Sequence, residues 1–494
     1  MSLLQHLKNL LRHSSVYLLS TFIQRALGLI MLPLYTDRAI LPQISAYGDY
    51  ALVYTFIAFM TILYMYGMDL ALMRYFFLGG QKREDVYKTA FVSVLTVASL
   101  LSALLWFTAP TIAAVLLDAA DLKEYIYVAA GILLFDSLSN LSYNLLRAEE
   151  KSLTFSAIKI VRFLTELALN IVFVVILKKG VAGILYANLC AAAFNFLILF
   201  PFQWKYLKGR FNSKLYNIML RFALPMLPNG LAYLIIEVSD KFLMRFLLDK
   251  DALGIYSANR RFGSIMLFIV MAFRTAWQPF FLKVAKEANA KKIYSKVFTY
   301  FTLISAFLVV VVSYFVDYLV RIPLGPTKTI MGSAYWSGTV IIPLVLTAYL
   351  FFGLYVNLTA GIYITKKTKY MILFSGSAAL VNVGSNLYLM PTYGIVGAAV
   401  ATLLGYMVLA VTIYIVVQKI YPVSYERMRV LSILAYIAVM LFILYAYAPG
   451  FYWRLILTLV SPFIFIFSGF FRPEERRFLK EQLAGRFFGG KKKK

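Results

Sequence analysis

Apolar runs of about 20 residues recur along the entire chain, and they constrain its fold more than any other feature. A helix needs about 20 apolar residues to cross the hydrocarbon core of a bilayer. The chain has fourteen such runs, near residues 15–36, 46–72, 89–117, 124–147, 153–177, 181–204, 216–248, 252–281, 297–322, 336–364, 369–390, 394–418, 429–448 and 451–471. They predict an all-α polytopic membrane protein of about fourteen transmembrane helices.

The composition excludes the main soluble classes. Hydrophobic residues make up 62% of the chain and charged residues 14%, far from the average of a soluble domain. A soluble enzyme, a disordered chain and a disulfide-rich secreted domain are therefore excluded, and the single cysteine, Cys190, gives no disulfide framework. In a membrane protein, the meaning of the formal charge of +27 depends on the positions of the cations, because Lys and Arg residues in loops set the orientation.

The distribution of basic residues predicts the orientation. Of the 49 Lys and Arg residues, 32 lie in the termini and in loops on the side of the N-terminus, and seven lie in the opposite loops. Cytoplasmic loops carry the excess of Lys and Arg. Both termini are therefore expected in the cytoplasm, as an even number of spans requires. Residues 1–12 have the pattern of an interfacial amphipathic helix, and residues 473–494 form a basic cytoplasmic tail.

Two halves of the chain resemble each other at an offset of about 206 to 216 residues. Gly180-Val-Ala-Gly183 opens the sixth span and Gly394-Ile-Val-Gly397 opens the twelfth, while Gly48 and Gly254 lie at the openings of the second and eighth. Two six-span units share one orientation, which predicts parallel repeats about an axis along the membrane normal. We expect an N-terminal lobe at 13–210, a C-terminal lobe at 211–420 and two further helices at 421–472.

A small group of cations falls deep inside the spans. Arg25, Arg260 and Arg261 lie roughly 13–16 Å from the span ends at 1.5 Å per residue. A charge at that depth costs at least ~2.5–3.5 kcal/mol, so it faces either a wet cavity or a partner. Two interpretations stay open: a binding function, or buried structural ion pairs.

Polar stripes on three helices extend this group. On the fifth span, Lys159, Arg162 and Glu166 share a face, and on the seventh span Glu237, Asp240 and Lys241 lie close together. Asp136 begins a similar stripe on the fourth span. Such faces point into the protein, where they line a water-filled cavity or bond to one another. Because basic residues outnumber acidic ones inside the spans, a cavity there would be cationic and suit a phosphate or diphosphate.

These patterns define the candidate site. The predicted substrate-binding cations are Arg25, Arg260, Arg261, Lys159, Arg162 and Lys241, and the carboxylates predicted to carry coupling protons or to pair with them are Asp136, Glu166, Glu237 and Asp240. The sequence has no phosphate-binding Gly-rich loop and no metalloprotease, serine-hydrolase or Cys/His metal motif. We expect no enzyme, no metal and no cofactor beyond H⁺ or Na⁺ as a coupling ion.

Several motifs, in order, resemble one known family. Pro225-Met-Leu-Pro228, Ser239-Asp240-Lys241 and Gly254-Ile-Tyr256-Ser257 resemble the seventh and eighth spans of bacterial polysaccharide transporters. The stretch from Leu41-Pro42 to Tyr47-Gly48-Asp49-Tyr50, followed by Gly67-Met-Asp69 and Arg74-Tyr-Phe, resembles their second span, and the run from Gly394 to Thr402 resembles their twelfth. The family is the polysaccharide transporter branch of the multidrug/oligosaccharidyl-lipid/polysaccharide exporter superfamily, typified by Wzx-type O-antigen flippases.

The resemblance implies a V-shaped pair of six-helix lobes that alternate between inward-open and outward-open forms in the bacterial inner membrane. It implies that an undecaprenyl-diphosphate-linked oligosaccharide is flipped to the periplasmic leaflet, with polysaccharide polymerase or assembly proteins as further partners and no nucleic acid. In the related lipid II flippases, spans 13 and 14 help to form a groove for the lipid tail. Basic residues of their first and eighth spans engage the diphosphate, which Arg25, Arg260 and Arg261 match by location.

The sequence also has to be compared with the features expected of other membrane proteins. A drug or cation antiporter of the same superfamily would line its cavity with a net excess of acidic residues. A lipid II flippase is a further alternative, which differs in the glycan carried. A membrane-embedded glycan polymerase would carry a large periplasmic loop with catalytic Arg or His, whereas the outer loops here are short. A scramblase or scaffold stays open from sequence. The charge pattern favours the oligosaccharide flippase.

Overall fold

The computed structural model describes residues 28–78, 80–285, 287–325, 328–365, 367–467, 469–472 and 475. Most of the predicted first span, the helix predicted at 1–12 and nearly all of the tail lie outside these residues. In the first half of the chain, seven α-helices are described: α1 (Leu32–Tyr35), α2 (Ile44–Met65), α3 (Met68–Leu78), α4 (Arg83–Leu117), α5 (Lys123–Ala148), α6 (Ser152–Asn170) and α7 (Gly180–Leu207).

The second half contributes eight more helices to the described part. They are α8 (Ser213–Ala223), α9 (Leu227–Leu247), α10 (Lys250–Val284), α11 (Ala290–Val320), α12 (Ile342–Ile364), α13 (Met371–Ile420), α14 (Arg427–Tyr447) and α15 (Phe451–Phe467). A 3₁₀ segment, Ser333–Ile341, leads into α12. Outside the helices, one isolated antiparallel bridge joins Pro323 to Thr329.

Nine helices of the described residues are long and apolar enough to cross a membrane. One of them, Thr368–Ile420, contains both the eleventh and the twelfth predicted spans. The two are consecutive helical segments joined at a kink at Gly394. A shorter apolar helix, Phe451–Phe467, corresponds to the fourteenth. The prediction of an all-helical polytopic membrane protein is confirmed.

Two of the predicted spans are interrupted. The second span breaks at Tyr66 and Gly67, which both take positive φ, and α3 follows as a separate helix. A side-chain carbon at Gly67 would lie 2.7 Å from the carbonyl oxygen of Ala223, so the break allows α3 to approach the end of α8. The seventh span begins with α8, whose end is separated from α9 by a 3₁₀ turn containing Pro225. Hydropathy alone does not register such breaks, because the residues on both sides are apolar.

The repeated Gly-x-x-Gly motifs adopt the same local structure. Gly180 and Gly394 both have positive φ, at 56° and 57°. Three residues later, Gly183 and Gly397 pack against the backbone of the preceding helical turn, at Phe173 in the first case and Leu389 in the second. Glycine suits the first position because it adopts positive φ readily, and the second because a side chain there would collide with the backbone. The motifs therefore form equivalent turns between consecutive spans, as the predicted repeat requires.

The repeat-related glycines at the openings of α2 and α10 contact each other. A side-chain carbon at Gly254 would lie 2.6 Å from the carbonyl oxygen of Ile44 and 3.4 Å from the amide nitrogen of Gly48. In the same way, a side chain at Gly48 would meet the carbonyl oxygen of Lys250. Small residues allow such close backbone approach between membrane helices. The two halves of the chain thus meet at equivalent positions.

The helices divide into two compact units. One comprises the described residues up to Ala290 together with Tyr318–Pro422, and the other comprises Lys291–Asp317 together with the described residues from Val423 onward. Both predicted lobes therefore contribute to the first unit. Most of α11 belongs with α14 and α15 in the second, where Arg454 pairs with Asp317 at 3.2 Å. The domain boundaries predicted from the repeat stay a prediction.

The kink at Gly394 gives a testable prediction. Gly394 has φ 57° and ψ −135°, a conformation that costs a residue with a side chain about 1–3 kcal/mol. We expect Gly394→Ala to lower the thermal midpoint of the detergent-purified protein by several degrees. Gly384 is a matched control, because it lies in the same helix with open space around it and no positive φ. Equal midpoints for Gly394→Ala and Gly384→Ala would contradict the assigned turn.

Candidate functional site

In the first lobe, Arg162 is held by a carboxylate. Its two terminal nitrogens donate to the two oxygens of Asp136 at 2.5 and 3.1 Å, which is a bidentate pair between α6 and α5. Arg162 is 7% exposed. The amide of Asn188 extends the contact, accepting from Arg162 at 3.4 Å and donating to the hydroxyl of Tyr54 at 2.8 Å. Arg162 is therefore committed to a protein partner.

The other charges of the α6 stripe have different surroundings. The ammonium of Lys159 lies 4.1 Å from the ring centroid of Tyr143, a cation–π geometry. Glu166, one turn beyond Arg162, is half-buried. Within the described part of the chain, the Glu166 carboxylate has no ion pair or hydrogen bond, although the charges of Arg162 and Asp136 and the hydroxyls of Tyr35 and Tyr54 are near enough to interact with it electrostatically. Glu166 is thus an uncommitted carboxylate.

In the second lobe, Arg260 lies between two carboxylates. Its guanidinium donates to Asp240, whose side chain is fully buried, and it lies 3.3 Å from Glu237. The hydroxyl of Tyr256 also donates to Asp240. Tyr349 and Tyr406 donate to the two oxygens of Glu237 at 2.8 and 2.7 Å. This acidic cluster joins α9, α10, α12 and α13, and Arg260 is fully engaged within it.

Lys241 follows Asp240 directly but has no such partner. Its side chain is half-buried, and among the described residues no acceptor lies within hydrogen-bond or ion-pair distance of its ammonium group. Asp240, Glu237, Arg260 and Arg261 are the charges near it. Lys241 lies six residues before the end of α9, or about 9 Å along the helix. With no direct partner among the described residues, the ammonium group at that depth is available to water or to a ligand.

Arg261 extends across to the first lobe. Its guanidinium donates to the carbonyl oxygen of Gly28 and, at 2.6 Å, to the hydroxyl of Tyr50. It also lies 5.7 Å from the ring centroid of Tyr47. Consecutive residues of a helix point about 100° apart, so Arg260 faces its own lobe while Arg261 faces the other. The sequence pattern put Arg260 and Arg261 in one cationic group, whereas in the structure the two residues contact different partners.

Four tyrosines surround Arg261, and the sequence analysis did not single them out as site residues. The Tyr50 ring lies 5.5 Å from the Tyr35 ring, 5.3 Å from the Tyr47 ring and 4.7 Å from the Tyr54 ring, measured between centroids. The hydroxyl of Tyr35 donates to Asn170 at 2.6 Å. The spacing of Tyr47, Tyr50 and Tyr54 puts them on one face of α2, a signal that was available in the sequence.

Ion pairs join the two halves of the chain at the end predicted to be periplasmic. Lys250 lies 2.9 Å from Asp49, Lys328 lies 2.9 Å from Asp37, and Arg245 lies 3.3 Å from Asp118. Partial burial raises the pKa of Asp37, but bonds from Lys328 and from the amide of Ala39 outweigh it and leave the pKa below 3.8. The Asp37 pair is therefore present at neutral pH and lost only as the pH falls through that lowered pKa.

Of the candidate residues, the structure brings Glu237, Asp240, Lys241 and Arg260 together in one cluster. Asp136, Arg162, Glu166 and Lys159 lie in the first lobe. Arg25 lies outside the described residues. Within the described residues, no group of three or more His, Cys, Asp or Glu side chains is arranged to hold a metal ion.

The ion pairs of Arg260 predict an effect on protein stability that a role in substrate binding alone would not produce. Removing one member of a buried pair leaves an uncompensated charge and costs about 3–5 kcal/mol. We expect Arg260→Gln to reduce the thermal midpoint strongly and Arg260→Gln with Asp240→Asn to recover most of the loss. Thermal unfolding of the purified variants measures both. No recovery in the double variant would contradict the pairing.

The contact between α2 and α10 predicts a specific cross-link. In a Cys190→Ser background, we expect D49C/K250C to form an intramolecular disulfide in membranes under mild oxidation, because the two side chains meet across the lobes. T61C/K250C is the matched control, since Thr61 lies twelve residues further along α2, about 18 Å away. Electrophoretic mobility before and after reduction measures the bond. Cross-linking of both pairs to the same extent would contradict the contact.

Comparison with known proteins gives a consistent set of relatives. Residues 39–331 match the family described as polysaccharide biosynthesis protein. A protein of Haemophilus influenzae named "Uncharacterized membrane protein" is 21% identical over 297 residues, covering 57% of this chain and 68% of that protein. Another from the same organism, "Lsg locus putative protein 1", is 20% identical over 284 residues, covering 56% and 67%.

Two solved structures show the same fold. The lipid II flippase MurJ in an inward closed conformation is similar with a TM-score of 0.73 and 16% identity, over 92% of this chain and 98% of that one. A MATE transporter of Vibrio cholerae is similar with a TM-score of 0.59 and 14% identity, over 83% and 98%. Since both are below 25% identity, they establish the architecture alone.

Proposed function

Because the chain belongs to the polysaccharide biosynthesis protein family, we propose that it is a flippase for an undecaprenyl-diphosphate-linked oligosaccharide. The glycan and diphosphate would enter between the lobes while the prenyl tail stays in lipid. Alternating access would then carry them from the cytoplasmic to the periplasmic leaflet of the inner membrane. Family membership and the flippase-like fold support transport, and the charges inside the lobes support an anionic substrate.

The observation that carries this proposal is the ammonium of Lys241, which has no direct partner in the described part of the chain. Arg162 and Arg260 are already neutralised by carboxylates, so a substrate phosphate would have to displace Asp136 or Asp240 to reach them. Lys241 needs no such exchange, because its charge has no partner among the described residues. An anion bound beside Lys241 would form a charge-assisted hydrogen bond with its ammonium group, which has no direct partner among the described residues. We assign Lys241 the main contact with the diphosphate.

Arg261 is the second cation of the proposed site. Its guanidinium is occupied by neutral acceptors, the Gly28 carbonyl and the Tyr50 hydroxyl, rather than by a carboxylate. A phosphate oxygen is a stronger acceptor for a guanidinium than either. Arg25, in the predicted first span, stays a candidate for the same anion. Arg260 becomes a positioning residue that holds α9, and with it Lys241, against α10.

Among the carboxylates, Glu166 is the best candidate for a coupling proton. Asp136, Glu237 and Asp240 are each engaged by arginine or tyrosine donors. Glu166 is half-buried and uncommitted, so its protonation would break no ion pair. We propose that Glu166 takes up and releases the coupling ion, either H⁺ or Na⁺, in the first lobe while Lys241 binds the substrate in the second.

A cation antiporter is the competing function from the same fold. An antiporter would need a cavity lined by carboxylates that are free to bind a cation. Among the carboxylates named here, Glu166 is the one without an ion pair or hydrogen bond in the described residues. Asp240 and Glu237 balance the charges of Arg260 and Lys241, so Arg261, which is bound by neutral acceptors, leaves these five residues with one net positive charge. That surplus attracts an anion and repels a cationic drug. The distribution of unpaired charge therefore favours the glycan-lipid substrate.

Substitution of Lys241 tests the proposal in proteoliposomes that contain an undecaprenyl-diphosphate-linked oligosaccharide. We expect Lys241→Gln to lower the translocation rate at least tenfold and Lys241→Arg to keep a substantial part of it, because a cation remains. Lys123→Gln removes an exposed cation outside the proposed site, at the start of α5, and should leave the rate within twofold of wild type. Protection of the glycan from an external glycan-modifying enzyme measures translocation.

Two outcomes would overturn the proposal. Wild-type protein that leaves the lipid-linked oligosaccharide in place, yet exports a cationic dye, would establish the antiporter instead. A rate for Lys241→Gln equal to that of Lys123→Gln would remove Lys241 from the binding site. Thermal midpoints of both variants accompany the assay, so that loss of transport is compared only between folded proteins.

A further inference from the structure

A separate cleft lies in the second lobe, away from the charge clusters. It opens to the surface between α10, α12 and the start of α13. Its polar and aromatic lining includes Arg274, Trp277, Gln278, Tyr355, Thr359 and Tyr363. Arg274 lies fourteen residues after Arg260 on α10, which is about 21 Å along the helix. The predicted orientation places this region towards the cytoplasmic end of α10.

The cleft lies beside the packed contact of α10 with α12. Along the face that begins at Gly263, Val270 is fully buried, and Trp277 and Phe281 are 4% and 1% exposed. Arg274 belongs to the same face by its spacing but is exposed. Arg274 thus interrupts an otherwise buried apolar stripe, and its side chain lines the cleft. The structure places this cleft beside Arg274.

Hydrogen-bond donors dominate the lining of the cleft. Among the described residues, Arg274 has no ion pair or hydrogen bond, so its guanidinium donors face the opening. The hydroxyl of Tyr355 is within 3.3 Å of the sulfur of Met371, which is a weak acceptor. The amide of Gln278 is exposed. No carboxylate is among the lining residues.

Aromatic faces form the rest of the wall. The ring of Tyr363 is stacked on that of Phe281, with centroids 6.1 Å apart and 22° between the planes, and Tyr363 is 36% exposed. The indole of Trp277 is fixed from behind, since its ring nitrogen donates to the carbonyl of Asn357 at 3.1 Å. Rigid aromatic rings beside the exposed donors of Arg274 and Gln278 suit a ring that has C–H bonds on its faces and oxygens around its edge.

We propose that this cleft binds an anionic sugar residue, one that carries a carboxylate or a phosphate. Arg274 would bind the charged substituent in a bidentate fork. The exposed face of Tyr363 would pack against the sugar ring, and Gln278 and Tyr355 would donate to its hydroxyl groups. Because the cleft is open to the surface, one ring of a longer chain could lie along it. The inference rests on the proposed glycan substrate and adds that a charged sugar is recognised on the second lobe.

The test uses the full-length protein in nanodiscs and four soluble probes: glucuronate, glucose 1-phosphate, glucose and inorganic phosphate. We expect the two anionic sugars to bind by calorimetry at least tenfold more tightly than glucose. Inorganic phosphate should bind at least threefold more weakly than glucose 1-phosphate, because it has no ring to pack on Tyr363. Arg274→Gln should weaken binding of both anionic sugars at least tenfold, and Tyr363→Ala about threefold.

Arg221→Gln is the matched control. Arg221 is also an exposed arginine on the predicted cytoplasmic side, without an ion pair in the described part of the chain, but it does not line the cleft. Its loss should leave every probe affinity within twofold of wild type. Thermal midpoints confirm that the compared variants are folded.

Three results would overturn the assignment. Affinities unchanged by Arg274→Gln would show that the cleft is not the site. Glucose binding as tightly as glucuronate would remove the role of charge. Inorganic phosphate binding as tightly as glucose 1-phosphate, with no effect of Tyr363→Ala, would identify a phosphate or lipid-headgroup site instead of a sugar site. If wild-type protein translocates its lipid-linked glycan while any of these holds, the proposed flippase function survives and the sugar site alone fails.

Discussion

The pairing of Arg260 with Asp240 and Glu237 is the interaction on which the polar interior of the second lobe depends. Asp240 is fully buried, and a lone carboxylate there would cost several kcal/mol. Because Arg260 neutralises it, α9 and α10 can carry a charged face inside a membrane protein. The pairing also determines which cation is without a direct partner. Arg260 lies between two anions, whereas Lys241, one residue beyond Asp240, has no partner of its own among the described residues.

The regular features of the chain were predictable because they depend on local sequence. Span lengths follow from the thickness of the bilayer, and the repeated turns at Gly180 and Gly394 follow from a conformation that glycine adopts readily. Pairing inside the membrane was not predictable. The sequence left two interpretations open for the buried cations, and the Asp136–Arg162 contact depends on how α5 packs on α6, which spacing along one helix does not specify.

The separation of Arg260 from Arg261 shows the same limit at a finer scale. Both residues are equally deep by residue count, so the sequence treated them as one cationic group. Their directions differ by about 100°, and only the packing of α10 between its own lobe and α2 shows that one faces carboxylates and the other tyrosines. Lys250 and Lys328 were counted as loop charges that set topology. Their partners, Asp49 and Asp37, are about 200 and 290 residues away in sequence, and tertiary structure alone brings them together.

The contacts of Arg261 suggest how substrate and lobe movement would be linked in the proposed flippase. A ligand shifts a conformational equilibrium only by the difference in its affinity for the two states. Here Arg261 belongs to one lobe and its acceptors, Gly28 and Tyr50, belong to the other. Movement of the lobes apart would remove both acceptors from a buried guanidinium. A diphosphate that replaces them would stabilise the separated state more than the joined one, and an anion would therefore favour opening where a neutral lipid would not.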